Sequence, residues 1–242
     1  MTTSVLSAAQ PYLLSVASTR RHLLLCVLIA TKVWTESGLR PLSPSRAQAG
    51  VKMTEFPDWF SAYAKPNFER FLLPLHKQDY LHFLQLGAYT GDASLWMLDF
   101  VLTGEGSRLT DVDTWAGSDE EVHKSLNFED VYNTYLYKIA EYENKVSIKR
   151  MASTEYLINN RSKVFDFVYV DADHTAASAF LDAELSWELL RSGGILAFDD
   201  YEWGAHLPPS KSPKLGISLF LERHAGEYEL LESGLQVWIQ KL

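Results

Sequence analysis

The sequence predicts an α/β fold: a doubly wound, mostly parallel sheet of seven strands that ends in an antiparallel hairpin. Three observations predict it. From residue 81 onward, short apolar runs alternate with segments of helical periodicity. Such alternation builds right-handed β-α-β units around a parallel sheet. Gly87 and Gly91 follow the first apolar run, where a strand would turn into a helix. The last two strand-like runs, 228–231 and 235–240, are separated only by Glu232, Ser233 and Gly234, which is hairpin spacing.

The elements follow in order along the chain. Residues 81–86 form a buried strand ended by Gly87, and 93–102 a helix closed by Gly104. Residues 108–112 form a second strand. Asn127 suits the N-cap of a helix running to about Tyr142, with Asp130 three positions on as a capping-box acid. Residues 146–150 form a third strand, and Ser153 or Thr154 starts a short helix. Residues 165–170 form a fourth strand. A helix over 176–190 places Phe180, Leu181, Leu185 and Leu189 on one face. Gly193 and Gly194 break it before a fifth strand at 195–198.

Composition bounds the class. The 242 residues are 47% hydrophobic and 22% charged, which excludes disordered, collagen-like and coiled-coil proteins. The net charge of −9 argues against a duplex nucleic-acid partner. A single cysteine, Cys26, excludes an intrachain disulfide framework and Cys-rich zinc sites. No apolar run approaches the ~18 residues of a membrane span, so stable membrane insertion is not expected and a cytoplasmic location is. Residues 1–52 differ in character: six basic residues face one acid, a net +5 that leaves −14 for residues 53–242. Parts of this segment mimic a secretory signal, and others suit an amphipathic surface helix. The preferred expectation is a mobile or accessory extension ahead of a folded domain at 53–242, with Met53 as a candidate natural start.

In open α/β sheets, ligands bind beyond the C-terminal ends of the strands. Those positions hold Gly87, Ala88, Tyr89, Thr90 and Gly91 after the first strand. They hold Asp111 and Asp113 at the second, and Met151, Ala152 and Ser153 after the third. They hold Asp171, Asp173 and His174 after the fourth, and Asp199 and Asp200 after the fifth. The glycines let backbone approach a ligand. Asp113, 22 residues after Gly91, suits the two hydroxyls of a ribose. The dinucleotide and phosphate-loop fingerprints are absent, so a nucleoside fits without a pyrophosphate. Carboxylates crowded on adjacent strand ends repel one another, and a hard divalent ion such as Mg2+ or Ca2+ relieves that. Asp173 reads as a helix cap. His174 could accept a proton near neutral pH. Trp59, Phe60, Tyr63, Tyr201, Trp203 and His206 are candidate pocket walls.

Four segments carry a family resemblance. Leu84-Gln85-Leu86-Gly87-Ala88-Tyr89-Thr90-Gly91 resembles the first motif of class I S-adenosylmethionine-dependent methyltransferases. Val112-Asp113-Thr114-Trp115-Ala116-Gly117-Ser118 resembles the second-strand segment of their macrocin and catechol O-methyltransferase-like branch. Residues 165–174 and 190–201 resemble that branch's fourth- and fifth-strand motifs. The resemblance covers roughly residues 80–242 and implies a Rossmann-like methyltransferase fold. It implies that Gln85, Gly87, Ala88, Tyr89, Gly91, Asp113, Thr114, Ser153 and Asp171 contact S-adenosylmethionine. It implies Asp171, Asp199 and Asp200 as ligands of Mg2+, and Asp171 or His174 as the proton acceptor. The family often has an acid where Gln85 stands; an amide there can still accept a hydrogen bond but lacks the charge attraction to the cofactor's ammonium and sulfonium.

The implied reaction is a Mg2+-assisted O-methylation of a small molecule with vicinal oxygens, a sugar hydroxyl pair or a catechol. The expected partners are that hydroxyl acceptor and, at most, a second copy of the chain. Two alternatives stay open: a metal-independent methyltransferase with His174 as base, and a non-catalytic cofactor-binding module.

Overall fold

The computed structural model describes residues 54–118 and 121–242. The expectations for residues 1–52 lie outside the described residues. Seven strands form one sheet: β1 (His82–Leu86), β2 (Arg108–Asp113), β3 (Val146–Arg150), β4 (Phe165–Val170), β5 (Leu190–Phe198), β6 (Tyr228–Ser233) and β7 (Val237–Lys241). Their order is β3-β2-β1-β4-β5-β7-β6. The first five are parallel, and β7 pairs antiparallel with both β5 and β6. This is the architecture expected from the sequence. The strand order reverses between β1 and β4, which makes their C-terminal ends the switch-point crevice of the sheet.

Period-2 alternation divides the side chains between two layers. Phe83, Leu109, Phe167 and Tyr169 enter one core with α1 (Lys65–Leu72), α2 (Asp92–Phe100) and α3 (Phe128–Ile139). Leu84, Leu86, Val112, Val168 and Val170 enter the other with α4 (Ser153–Asn159), α5 (Ala176–Leu189) and α6 (Pro213–Arg223). Among the described residues, no helix is long and apolar enough to cross a membrane.

Several details depart from expectation. Asn127 caps α3, but its side chain accepts from the Glu129 N–H at 3.1 Å, and the Asp130 N–H goes to the Asn127 carbonyl. Leu189 is buried as expected and Phe180 and Leu185 pack against the core, but Leu181 is 42% exposed, and Ala176, Ala179, Asp182, Ala183, Ser186 and Trp187 are buried with Leu189. The reason is close helix packing, since a Cβ on Gly216 of α6 would lie 2.1 Å from the Ala176 carbonyl oxygen. Small residues, not leucines, therefore face that neighbour. Gly193 and Gly194 do not separate helix from strand: β5 begins at Leu190, and the glycines take up a register shift against β4. Helices α1 and α6 were not evident from periodicity.

Candidate active site

The strand ladders themselves assemble the site. Each parallel pairing runs one residue past its strand: Gly87 N–H donates to the Val112 carbonyl at 2.8 Å, Asp171 N–H to Leu86 at 2.9 Å, and Asp199 N–H to Val170 at 3.0 Å. The ends of β1, β4 and β5 are thereby fixed side by side. Among the described residues, three of the five non-glycine residues with positive φ lie on such ends: Tyr89 (47°), Trp115 (45°) and Asp200 (56°). Left-handed backbone at these residues costs energy and concentrates at functional sites.

The turn after β1 is built for close approach. Gly87 has φ +85°, and a Cβ there would lie 1.7 Å from the Asp171 carbonyl oxygen. Gly91 has φ +83°, and its Cβ would meet the Tyr135 ring at 2.8 Å. Asp113 holds this turn from below. Its Oδ2 accepts the N–H groups of Ala88 (2.8 Å) and Tyr89 (2.9 Å), and its Oδ1 that of Trp115 (2.6 Å). The Trp115 indole N–H in turn donates to the Tyr89 carbonyl at 2.9 Å. Thr114 Oγ1 accepts from Ala116 N–H at 3.2 Å.

Gln85 is buried beneath the same turn. Its amide donates to the Gly87 carbonyl at 2.9 Å and accepts from the Ser94 hydroxyl at 3.1 Å. A carboxylate could accept but not donate there. Gln85 is also the register partner of fully buried Asp111, so an acid at position 85 would put two carboxylates together out of water. The amide answers both constraints.

On the acidic side, Asp171, His174 and Asp200 each offer a ligand atom, all within 4.8 Å of one another. His174 Nε2 lies 3.1 Å from Asp200 Oδ2 and 3.7 Å from Asp171 Oδ1. Burial and the neighbouring Asp199 charge push the Asp171 carboxyl well above the usual carboxylate range, against a smaller downward pull from His174. Asp199 stands outside that trio. Its Oδ2 accepts from the Tyr169 hydroxyl, and its Oδ1 from Gln236 Nε2 (3.1 Å) and Asp200 N–H (2.9 Å). Gln236 is held from the far side by Asn67 (2.9 Å) and the Trp238 indole (3.0 Å). Burial and the Asp199 charge raise the Tyr169 hydroxyl well above its ordinary range, so it stays a donor.

The remaining expectations divide. Ser153 opens α4, but its hydroxyl donates to both oxygens of buried Asp182, at 2.9 and 2.8 Å. Thr175, not Asp173, caps α5, its hydroxyl accepting from the Ser178 N–H at 3.3 Å; Asp173 stands behind it, accepting from the Thr175 N–H and the Ser178 hydroxyl. Trp203 lies over His174, ring centroids 4.9 Å apart, and Trp59 stacks on Tyr89 at 4.8 Å. Phe60 packs against Phe68, and Tyr63 is 61% exposed. Tyr201 bonds Ser218 at 3.0 Å. Sequence reasoning missed Tyr169 and Gln236; the only available signal was a polar residue inside the apolar run 235–239.

A glycine turn at the switch point, an acid ending β2 and an acidic-histidine cluster across the crevice define a class of enzyme together with this sheet. Residues 84–201 match the model of a family described as a methyltransferase domain, in line with the resemblance to class I S-adenosylmethionine-dependent methyltransferases. It is 30% identical over 143 residues to a probable caffeoyl-CoA O-methyltransferase 3 of Dictyostelium discoideum, covering 57% of this chain and 51% of that one. The chain spans about half the length of the curated relatives it matches. Among solved structures it resembles a putative rRNA-methylase from Clostridium thermocellum, with TM-score 0.56 and 12% identity over 80% of this chain and all of that one. It also resembles an O-methyltransferase from Bacillus cereus in complex with SAH, with TM-score 0.50 and 17% identity over 93% and 91%. At those identities the structural likenesses establish the fold.

Proposed function

We propose that this chain methylates a hydroxyl oxygen of a small molecule with vicinal oxygens, a sugar diol or a catechol, using S-adenosylmethionine. The observation that carries the reading is the Asp171–His174–Asp200 trio beside the Gly87–Gly91 turn. Bound S-adenosylmethionine supplies an activated methyl group on a sulfonium. Gly87 and Gly91 leave room for it, and Asp113 fixes the turn around it. Gln85 anchors the turn's carbonyl. In the metal-free form His174, held against Asp200, would accept the acceptor's hydroxyl proton as the oxygen–methyl bond forms and the sulfur–methyl bond breaks. Trp203 and Tyr89 shield the crevice, where loss of water favours the displacement.

The trio also fits a divalent cation, with Asp171, His174 and Asp200 as ligands, whose charge would lower the pKa of the acceptor hydroxyl. Two carboxylates with one imidazole suit Mn2+ at least as well as Mg2+, which prefers oxygen donors alone. The all-oxygen set Asp171, Asp199, Asp200 is disfavoured because three donors already engage Asp199. A metal-free reaction with His174 as base is the second reading, favoured by the 3.1 Å His174–Asp200 contact.

The test uses the full chain, a panel of catechols and glycosides, and S-adenosylmethionine. Methyl transfer to oxygen, abolished by a chelator and restored by Mn2+ or Mg2+, supports the metal-assisted form. Chelator-insensitive transfer supports the second reading. Absence of S-adenosylhomocysteine binding by calorimetry overturns both.

A further inference from the structure

The opposite end of the sheet holds a cleft of about 610 Å³, at the N-terminal ends of β1 to β4. It is far from the switch-point crevice along the strands and owes nothing to the methyl-transfer reading. Its origin lies in the strand pattern. On β2 and β3, Leu109, Val146 and Ile148 turn to the core under α1 to α3. Alternation therefore sends Arg108, Thr110 and Ser147 to the other face. That face is covered by α4, a helix of only seven residues whose buried residues are Tyr156 and Leu157. At the strand starts that face is polar, with Arg108 exposed, Ser147 part-buried and Thr110 buried.

Its charge is one-sided. Arg108, Lys145 and Lys163 line the cleft, and among the described residues no aspartate or glutamate does, although the chain carries a net −9. Their donors go to neutral oxygens: Arg108 to the Asn144 carbonyl (3.3 Å), Lys145 to the Leu102 carbonyl (2.7 Å) and Lys163 to the Tyr156 hydroxyl (3.2 Å). The neighbouring acid, Asp166, is engaged by Arg191 and the His82 N–H. A concave site with unneutralised cations, hydroxyls and an apolar floor of Val164 and Phe165 fits an anion with an apolar body.

We propose that this cleft binds a phosphate-bearing small molecule, its phosphate drawn by Arg108 and Lys163 and its body resting on the apolar floor. Guanidinium and ammonium groups recognise phosphate by charge-assisted hydrogen bonds. The volume lies in the range of small-ligand sites, roughly 300–1,000 Å³. A nucleic-acid strand is disfavoured because the chain's overall negative charge repels a long polyanion.

The test titrates the full chain with phenyl phosphate and with inorganic phosphate by calorimetry at low salt. It repeats both on the Arg108→Gln/Lys163→Gln double variant, two exposed positions. One-to-one saturable binding is expected, tighter for phenyl phosphate than for inorganic phosphate. The double variant should bind roughly tenfold more weakly or worse, as loss of two charge-assisted contacts requires. Unchanged thermal unfolding of the double variant certifies its fold. The proposal is overturned if neither phosphate binds saturably, if the double variant binds like the parent, or if only an oligonucleotide binds.

Discussion

His174 and Asp200 face each other across two strand ends, Nε2 to Oδ2 at 3.1 Å, although 26 positions separate them in the chain. Asp200 reaches that place through left-handed backbone at φ 56°. A strained residue held against an imidazole fits the proton-accepting role proposed for His174. Replacement His174→Ala should lower kcat by about 10² to 10⁴, the usual weight of a positioned acid–base group. S-adenosylhomocysteine affinity, measured by calorimetry, should stay within about twofold, since the ring is assigned to the acceptor side. A parallel collapse of cofactor binding would move His174 out of that role.

Asp199 and Asp200 are adjacent in sequence but sit in different settings. Asp199 is engaged by Tyr169, Gln236 and the Asp200 N–H, whereas Asp200 belongs to the trio with ligand spacing. Titration with Mn2+ should therefore separate them. Asp200→Ala is expected to weaken binding by about tenfold or more, and Asp199→Asn by less than about threefold. The reverse order would restore the all-oxygen ligand set read from sequence.

How much of this was legible in the sequence follows from the range of each interaction. The strand alternation was legible because apolar runs ended by glycine are local signals, and β1 to β4 lie where those runs lie. The convergence of Asp171 and Asp200 followed from strand adjacency alone. The engagement of Asp199 by Gln236 did not, because Gln236 is 37 residues distant, just ahead of the antiparallel β7, and no local pattern marks that pairing. Leu181 was placed inside by period counting. The period cannot show that the neighbouring helix carries Gly216 and approaches closely enough to prefer alanines. Gln85 read as a departure from the family, and only the geometry shows that its amide donates to the Gly87 carbonyl.

Gly87 offers a sharp steric test. With φ +85° and a would-be Cβ 1.7 Å from the Asp171 carbonyl oxygen, any side chain must separate β1 from β4 at the switch point. Gly87→Ala should abolish S-adenosylhomocysteine binding and lower the unfolding free energy by about 2 kcal/mol or more, from left-handed strain and the displaced ladder together. Gly226 is the control: its φ is +90°, yet nothing lies within 4 Å of a Cβ there. Gly226→Ala should cost only the backbone strain, about 1 kcal/mol, and leave cofactor affinity intact. Equal effects of the two substitutions would show that steric approach at Gly87 is not the cause.

Asp111 is wholly buried in the middle of the sheet, its Oδ2 accepting the Tyr135 hydroxyl at 2.8 Å. Burial raises its carboxyl to about 7, against smaller downward pulls from Tyr135 and Ser94. An aspartate in the unfolded chain titrates near 3.9. Between those values the folded chain keeps a proton that the unfolded chain has released. The stabilising contribution is therefore complete below about pH 4 and is lost as pH rises through about 7. Asp111→Asn preserves an acceptor for Tyr135 and cannot ionise. Urea unfolding at pH 5 and pH 8 should show the parent losing on the order of 1–3 kcal/mol relative to the variant. The comparison cancels the other titrating groups, including Asp182, which burial likewise raises to about 7. Parallel pH dependence in the two proteins would show that Asp111 does not change its charge between those pH values.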